Sequence, residues 1–571
     1  MLFLLLSLLV GGLESKDRVV FLSLDGFGYQ RWLEGDVVQQ TPSLAKIARS
    51  GVHAEGIVPH FPSTTANSHA ALFTGVYGDR NGIVANENPP FPRAGRQFTE
   101  RVSGFRSESL KVEPIWAVAA RRGLSTVAHQ VTQAFPFQGP TIAQGEAREL
   151  VLVNGYQTTR YAQDAVITSR EVEDDDHPRP AGIPAGRQVR FRAGPVMFHM
   201  VLTTRDAYVW VDGAPFVRVP LRATETTPPQ GRTLARHFSS SLYIPALRAG
   251  VFFRLFENQQ GQFLLYHTAL RELGVYGPES TAAEMLRSCG GFVGNAANFL
   301  YERGRFGPLG SGLAERRYLE TVELNGRQSA CHAVWLWKRF KPVLFVDYFN
   351  QPDDLDHALL GMDRAGKRDM NVWRAWGYQV VEHRLKAVLE LFDSDDHIFI
   401  ASDHGMTSTS KRLHVDAVLR KAGLADRVSC LTSGLLLNTV DWKDGLIVED
   451  QKASVLAAAR KALSEVSDGG KRVVTEFFDP AVFGERFGIH GPNSADLYFD
   501  VAPGYYPVCG PGTEEITEDP HPRGSHGMMP ERIDMLGIFF ARGPTLPSGK
   551  TLPRMRSIEV LPLVKGALGL N

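Results

Sequence analysis

Apolar positions in this chain fall into two alternating patterns. From Arg18 to Leu24 the sequence Arg-Val-Val-Phe-Leu-Ser-Leu is a nearly continuous apolar run, closed by Asp25-Gly26. Such a run, ended by a turn pair, predicts a strand buried on both faces. Val343-Leu-Phe-Val346 and His397-Ile-Phe-Ile-Ala401 repeat the signature. Elsewhere the period is helical. Thr41 to Gly51 reads as a helix, with Pro42 near its start and Gly51 just past its end, where helices prefer them. A longer helical pattern covers about Met370 to Phe392. Buried strands alternating with helices predict an α/β fold, a mostly parallel sheet with helices on both faces.

Between about 146 and 311 the pattern changes. Arg187–Arg192, Met197–Val201 and Ala207–Val211 read as short strands, Thr224 to Arg232 as a loop, and a helical stretch follows. This β-rich and helical region is expected to be an insertion that caps or flanks the sheet domain. It divides that domain into 16–145 and 312–571.

Residues 1–15 are an apolar run followed by small residues, then by Lys16, Asp17 and Arg18. The run is too short to span a bilayer as a helix, which takes ~20 apolar residues. It reads as the apolar part of a secretory signal peptide, although the positive residue that usually precedes such a run is missing. The alternative is a buried first strand or helix. The rest of the chain holds no second long apolar segment, so the expected product is exported, periplasmic or extracellular, with no transmembrane span.

Composition narrows the functional classes. The chain of 571 residues is 43% hydrophobic and 22% charged, an ordinary globular balance. Its 62 Lys and Arg are matched by 62 Asp and Glu, which leaves no electrostatic case for a nucleic-acid-binding surface. The four cysteines form no C-x-x-C pair, so a zinc ribbon is unsupported. In an exported chain they leave room for one or two disulfides, with three full pairings on paper; buried free thiols are the alternative.

The chemistry must then come from local constellations. Asp25 ends a predicted strand, and open α/β sheets bind ligands at the carboxyl ends of strands; alone it reads equally as an Asp-Gly turn. Asp403-His404 also follows a predicted strand. Asp353 and His357 lie four residues apart, on one side of a helical turn, and Asp plus His is a sound ligand pair for zinc. Asp354 and Asp356 could each replace Asp353 in that pair. His526 sits in the loop Gly524-Ser-His-Gly527. Thr64 and Thr65 precede a helical stretch, where the helix dipole and free N–H groups favour an alkoxide and a phosphate oxygen. A plain threonine cap is the competing reading.

Taken in order, the series Asp, T-x-x-x-H, D-x-x-x-H, D-H-G-M and G-x-H-G resembles the alkaline phosphatase superfamily. More closely it resembles the nucleotide pyrophosphatase/phosphodiesterase family, over about 18–130 and 340–530. The resemblance implies an alkaline-phosphatase-like fold and a phosphodiesterase that uses two divalent metal ions, best matched by Zn²⁺. It implies Thr65 as the nucleophile, also bound to metal, and Asn86 as a donor to a phosphate oxygen. Asp25, Asp403 and His404 would hold one metal; Asp353, His357 and His526 would hold the other. Glu113-Pro-Ile-Trp116 matches a structural segment, and His69 is left to a core or capping role. The implied substrate is a small phosphate ester or nucleotide.

The chain also departs from that pattern. The family's aromatic residue after the nucleophile, half of a clamp on a nucleobase, is Ala66 here; Tyr348 matches the opposing aromatic. The next Pro-Asn is Asn67-Ser68. No K-x-R pair of the kind that grips a monoester stands in a matching position, so a diester is expected to be preferred. A monoesterase or phosphonate hydrolase on the same site is second, and a non-catalytic binding protein last. Arg187, Arg190 and Arg192 of the insertion could overturn that order by supplying the missing charge.

Overall fold

The computed structural model describes residues 18–142, 150–223, 235–257, 261–294, 313–367 and 370–570. The leader 1–15 and the loop Thr224 to Arg232 fall outside the described residues.

The strand Val19–Leu24 is buried along its whole length. It pairs in parallel with Leu344–Phe349 on one side and His397–Ala401 on the other. Side chains of a strand alternate between faces. Val20, Leu22 and Leu24 therefore enter one apolar cluster, and Val19 and Phe21 enter another. The first cluster is closed by helices Pro42–Ser50, Leu313–Phe340 and Met370–Leu389. The second is closed by Thr65–Thr74, Ile115–Arg121 and Val560–Ala567. The result is a nine-stranded sheet between two helical layers. It is parallel through its centre, with antiparallel partners at Phe539–Arg542 and at the edge strand Gly274–Tyr276. The α/β expectation is met.

The β-rich region forms its own antiparallel sheet of five strands. The three strands read from the sequence appear in it as Arg187–Ala193, Val196–Leu202 and Asp206–Trp210. Its core contains Val189, Phe191, Phe198, Met200 and Val209. Two segments within 146–311 belong to the main sheet instead. Leu150–Asn154 pairs in parallel with Thr126–His129, and Gly274–Tyr276 pairs with Leu150–Asn154. The chain thus leaves the main sheet after Asn154 and rejoins it at Gly274. A further apolar cluster packs Leu413, Val428, Leu435 and Phe499 around a four-stranded sheet in the C-terminal half.

All four cysteines are paired. Cys289–Cys331 ties the helix Thr281–Cys289 to the long helix Leu313–Phe340, and Cys430–Cys509 closes the other bridge. Among the described residues no helix is long and apolar enough to cross a membrane.

Candidate active site

Three parallel strands end on one edge of the sheet, and each is followed by acidic residues. Asp25 follows Val19–Leu24, and Asp403-His404 follows His397–Ala401. The helix Gln351–Arg364 begins just beyond Leu344–Phe349, with Asp353 in its first turn and His357 one turn on. His526 comes from another direction, directly after the strand Ile516–Ser525. Two glycines let that strand lie against the helix. A Cβ on Gly361 would stand 2.1 Å from the Arg523 nitrogen, and one on Gly524 2.3 Å from the Asp356 carbonyl oxygen.

These contacts bring all six expected Asp and His residues together. His404 Nε2 lies 3.1 Å from Asp403 Oδ2 and 3.5 Å from Asp25 Oδ1. His357 Nε2 is 3.4 Å from Asp353 Oδ2, and His526 Nε2 is 3.7 Å from Asp353 Oδ1. The rings of His404 and His526 stack at 4.0 Å and join the two groups. Each ring's other nitrogen faces a carbonyl: His404 Nδ1 that of Gly405, His357 Nδ1 that of Gly524, and His526 Nδ1 that of Ser63. Donation from Nδ1 fixes the tautomer and leaves the Nε2 lone pair turned toward the carboxylates.

Two of the carboxylates, Asp25 at Oδ1 and Asp353 at Oδ1, keep a buried oxygen without a hydrogen-bond partner among the described residues. Burial raises both carboxyls well above the ordinary range, and nearby carboxylates, Asp403 among them, raise them further. Burial also pushes Asp403 up, but His404, His69 and the Gly26 N–H outweigh it and hold it below the usual range. Burial lowers all three histidines, His357 to about 4. Neutral imidazoles around unpaired buried carboxylates are costly without a cation. An Asp and His donor set without sulfur suits Zn²⁺ or a similar divalent ion. The residues therefore fit two divalent cations, one beside Asp25, Asp403 and His404 and one beside Asp353, His357 and His526.

His69 is drawn into the same cluster. Its Nδ1 lies 2.9 Å from the Thr65 carbonyl and 3.0 Å from Asp403 Oδ2, and its Nε2 is 2.6 Å from Ser23 Oγ. Both nitrogens are engaged, so it positions Asp403 rather than offering a lone pair. The four-residue spacing from Thr65 is the sequence signal for this placement.

Thr65 opens the fully buried helix Thr65–Thr74, which ends at Gly75 with φ 70°. Its Oγ1 lies 3.3 Å from His404 Nε2. The Thr64 hydroxyl instead donates to Asn67 Oδ1 at 2.5 Å. Asn86 Oδ1 accepts from the Ala66 N–H at 2.9 Å, which orients the side chain and leaves its NH₂ group to the cleft. That cleft has a volume of about 510 Å³ and is lined by Asp25, Thr65, Asn86, Tyr348, Asp353, His357 and His526 together. Asp403 and His404 lie beneath it, fully buried.

The aromatic positions differ from the sequence picture. Tyr348 lines the cleft, but it is 7% exposed and donates its hydroxyl to Asp25. Phe105 also lines the cleft and packs against the small apolar cluster that contains Ala66. It thus brings an aromatic ring where residue 66 has none. Arg187, Arg190 and Arg192 stand on one strand of the inserted sheet and are not among the cleft-lining residues. Arg187 pairs with Asp174 and Arg190 with Glu173. Two other arginines of the insertion, Arg160 and Arg271, do line the cleft.

Outside the cleft, His177, His199 and Asp212 form another close group. Its two imidazoles stack face to face at 4.0 Å. Their in-plane lone pairs then run side by side rather than converging on one point, so the arrangement reads as an ion-paired cluster rather than a metal centre. It fastens the segment around His177 to the inserted sheet through Asp175 and His199.

The family described as type I phosphodiesterase / nucleotide pyrophosphatase is matched over residues 19–181 and 291–529, well over half of the chain. An uncharacterised pyrophosphatase/phosphodiesterase of Schizosaccharomyces pombe is 29% identical over 171 residues, 29% of this chain and 33% of that protein. Human ectonucleotide pyrophosphatase/phosphodiesterase family member 7 is 32% identical over 119 residues, 19% of this chain and 23% of that one. The chain's matches thus span a third or less of the length of these relatives. The solved structure of murine ectonucleotide pyrophosphatase/phosphodiesterase 5 superposes with a TM-score of 0.48 at 14% identity, over 97% of this chain and 95% of that chain.

Proposed function

The chain belongs to the type I phosphodiesterase / nucleotide pyrophosphatase family, and from that premise we propose that it hydrolyses phosphodiesters or pyrophosphates, with Thr65 as nucleophile. One observation carries the reading: a threonine hydroxyl at a buried helix start, facing His404 among six Asp and His residues whose carboxylates lack counter-charge. The reading extends to two zinc ions, to export, and to Asn86 as a donor to the phosphoryl group. Two disulfides support export, because such bonds persist in oxidising compartments.

When bound, the two cations activate the attacking oxygen and offset the charge of the phosphoryl and leaving oxygens. The chain's own groups do the rest. Thr65 Oγ forms a bond to phosphorus and loses its proton, while the ester oxygen of the leaving arm departs and is protonated. Water then cleaves the phosphothreonine and restores the hydroxyl. The helix N-terminus at Thr65 favours the developing negative charge. The Asn86 NH₂, aimed by the Ala66 N–H, donates to a phosphoryl oxygen. Phe105 presents a ring against which a nucleobase or aryl arm can pack.

A panel of an aryl phosphodiester, an aryl monoester, a dinucleotide and a phosphonate tests the class. The aryl diester is expected to exceed the monoester in kcat/KM: Arg187, Arg190 and Arg192 lie away from the cleft, and Arg160 and Arg271, which do line it, are the two cations that could reverse the order. A measured preference for the monoester would make the phosphomonoesterase reading the better one.

A further inference from the structure

The strands Arg160–Ala162 and Leu270–Arg271 leave the main sheet and return to it, and they pair antiparallel above the cleft. Their register shifts by one residue. Leu270 faces Ala162, yet Arg271 faces Arg160, so Tyr161 is left without an opposite number. In a regular ladder Arg271 would oppose Tyr161. The bulge sets two arginines against each other instead, and bulges beside active sites often serve to re-aim a side chain. Like charges directly across a ladder are destabilising. Among the described residues neither arginine has a carboxylate within ion-pair distance. Arg271 Nη1 is held instead by the carbonyls of Gly155 and Tyr156. Burial, and then Arg160, lower its pKa. The acids of the cleft are committed elsewhere. Asp164 accepts from the Tyr266 hydroxyl at 3.2 Å, Asp354 from Asn350 Nδ2 at 2.6 Å, and Asp25 and Asp353 belong to the cluster described above.

We propose that Arg160 and Arg271 form an anion subsite of the catalytic cleft, which takes a second phosphate group of the substrate, beyond the phosphate that is cleaved. This rests on the hydrolase reading above and goes on to name the substrate class. Guanidinium groups offer forked N–H donors that match phosphate oxygens, and a bound phosphate converts their mutual repulsion into attraction for one anion. Substrates whose second arm ends in a phosphate are favoured, and those whose arm ends in a quaternary ammonium are rejected. Within the cleft the insertion therefore selects by the charge of the arm. A nucleoside polyphosphate and a phosphorylated glycerophosphoinositol both carry such an arm. Competition of each against the aryl substrate below tells which is taken.

The test uses the whole chain and three phosphodiesters that share a p-nitrophenyl leaving group. Their second arms end in a phosphate, a methyl group or a trimethylammonium group. The expected order of kcat/KM is phosphate, then methyl, then trimethylammonium. Arg160→Gln, at an exposed position, should lower the phosphate-to-methyl ratio about tenfold, the effect of losing one charged hydrogen bond of ~1.4 kcal/mol. Arg160→Glu should reverse the order at the trimethylammonium end. Arg271→Gln should act in the same direction, and its thermal midpoint reports whether loss of the Gly155 and Tyr156 contacts disturbs the fold. Turnover of all three esters with a ratio unmoved by Arg160→Gln would overturn the subsite and leave the hydrolase standing. If none is turned over, calorimetric binding of the same esters decides. Tighter binding of the phosphate arm, weakened in Arg160→Gln, would remove the hydrolytic reading and keep the subsite, whereas equal binding of all three would remove both.

Discussion

At the scale of single residues, the adjacent threonines 64 and 65 separate two roles. Thr64 Oγ1 is used up on Asn67, while Thr65 Oγ1 faces His404. Thr65→Ala should reduce turnover of an aryl diester by at least about 10³-fold, the usual scale for loss of a nucleophile, with bound metal retained by elemental analysis. Thr64→Ala should keep most of the turnover and lose about 1 kcal/mol of stability, the usual net worth of a buried hydrogen bond such as the one its hydroxyl donates to Asn67. Inactive Thr64→Ala beside an active Thr65→Ala would reverse the assignment. The six Asp and His residues were legible in the sequence because each stands where a local pattern ends: after an apolar run, in a helix's first turns, or in a short Gly-flanked loop. Arg160, Arg271 and Phe105 were not. They reach the cleft from segments with no motif of their own, and a strand bulge is invisible in a single sequence. Arg187, Arg190 and Arg192 stood out by composition, yet strand pairing turns two of them toward Asp174 and Glu173.

Among elements, the contact between the helix Gln351–Arg364 and the strand Ile516–Ser525 sets the distance between Asp353, His357 and His526. Gly361 and Gly524 make that contact possible, since neither tolerates a Cβ without backbone collision. Gly361→Ala adds one methyl group inside an otherwise favourable helix, where Ala is intrinsically better than Gly by about 1 kcal/mol. In isolation the change would therefore stabilise the helix. Here the 2.1 Å approach to Arg523 forces the two elements apart, and overpacking costs about 1–3 kcal/mol. The expected outcome is a lower thermal midpoint together with weaker binding of one of two metal equivalents in a chelator titration. A variant as stable as the parent, with both equivalents intact, would show that this packing does not set the site. The buried strands and long helices of the sheet were readable from their unbroken or 3.6-residue patterns. The edge strand Gly274–Tyr276 was not: three residues carry no period, and only pairing with Leu150–Asn154 makes them a strand.

For the whole molecule, the cluster is a charge problem that the fold leaves unsolved. Asp25, Asp353 and Asp403 enter the protein interior near one another, and Arg31, Arg374 and Arg384 are turned to other acids, Glu34, Asp356 and Asp347. The folded chain should consequently depend on bound cations. A ligand that binds only the folded state stabilises it by about 4 kcal/mol at a thousandfold excess over its Kd, so stripping with a chelator should lower the thermal midpoint by several degrees at a fixed scan rate. Asp353→Asn distinguishes a metal cluster from an ordinary buried network by its sign. In the stripped protein the substitution removes one uncompensated buried charge and should raise the midpoint relative to the stripped parent. In the metal-loaded protein it removes a ligand and should lower the midpoint relative to the loaded parent. An ordinary hydrogen-bonded aspartate would be destabilised by the change in both states. The measurement is a four-way comparison of parent and variant, loaded and stripped, with metal content checked in each. Equal midpoints for loaded and stripped parent, or the same sign for Asp353→Asn in both states, would refute the cation cluster.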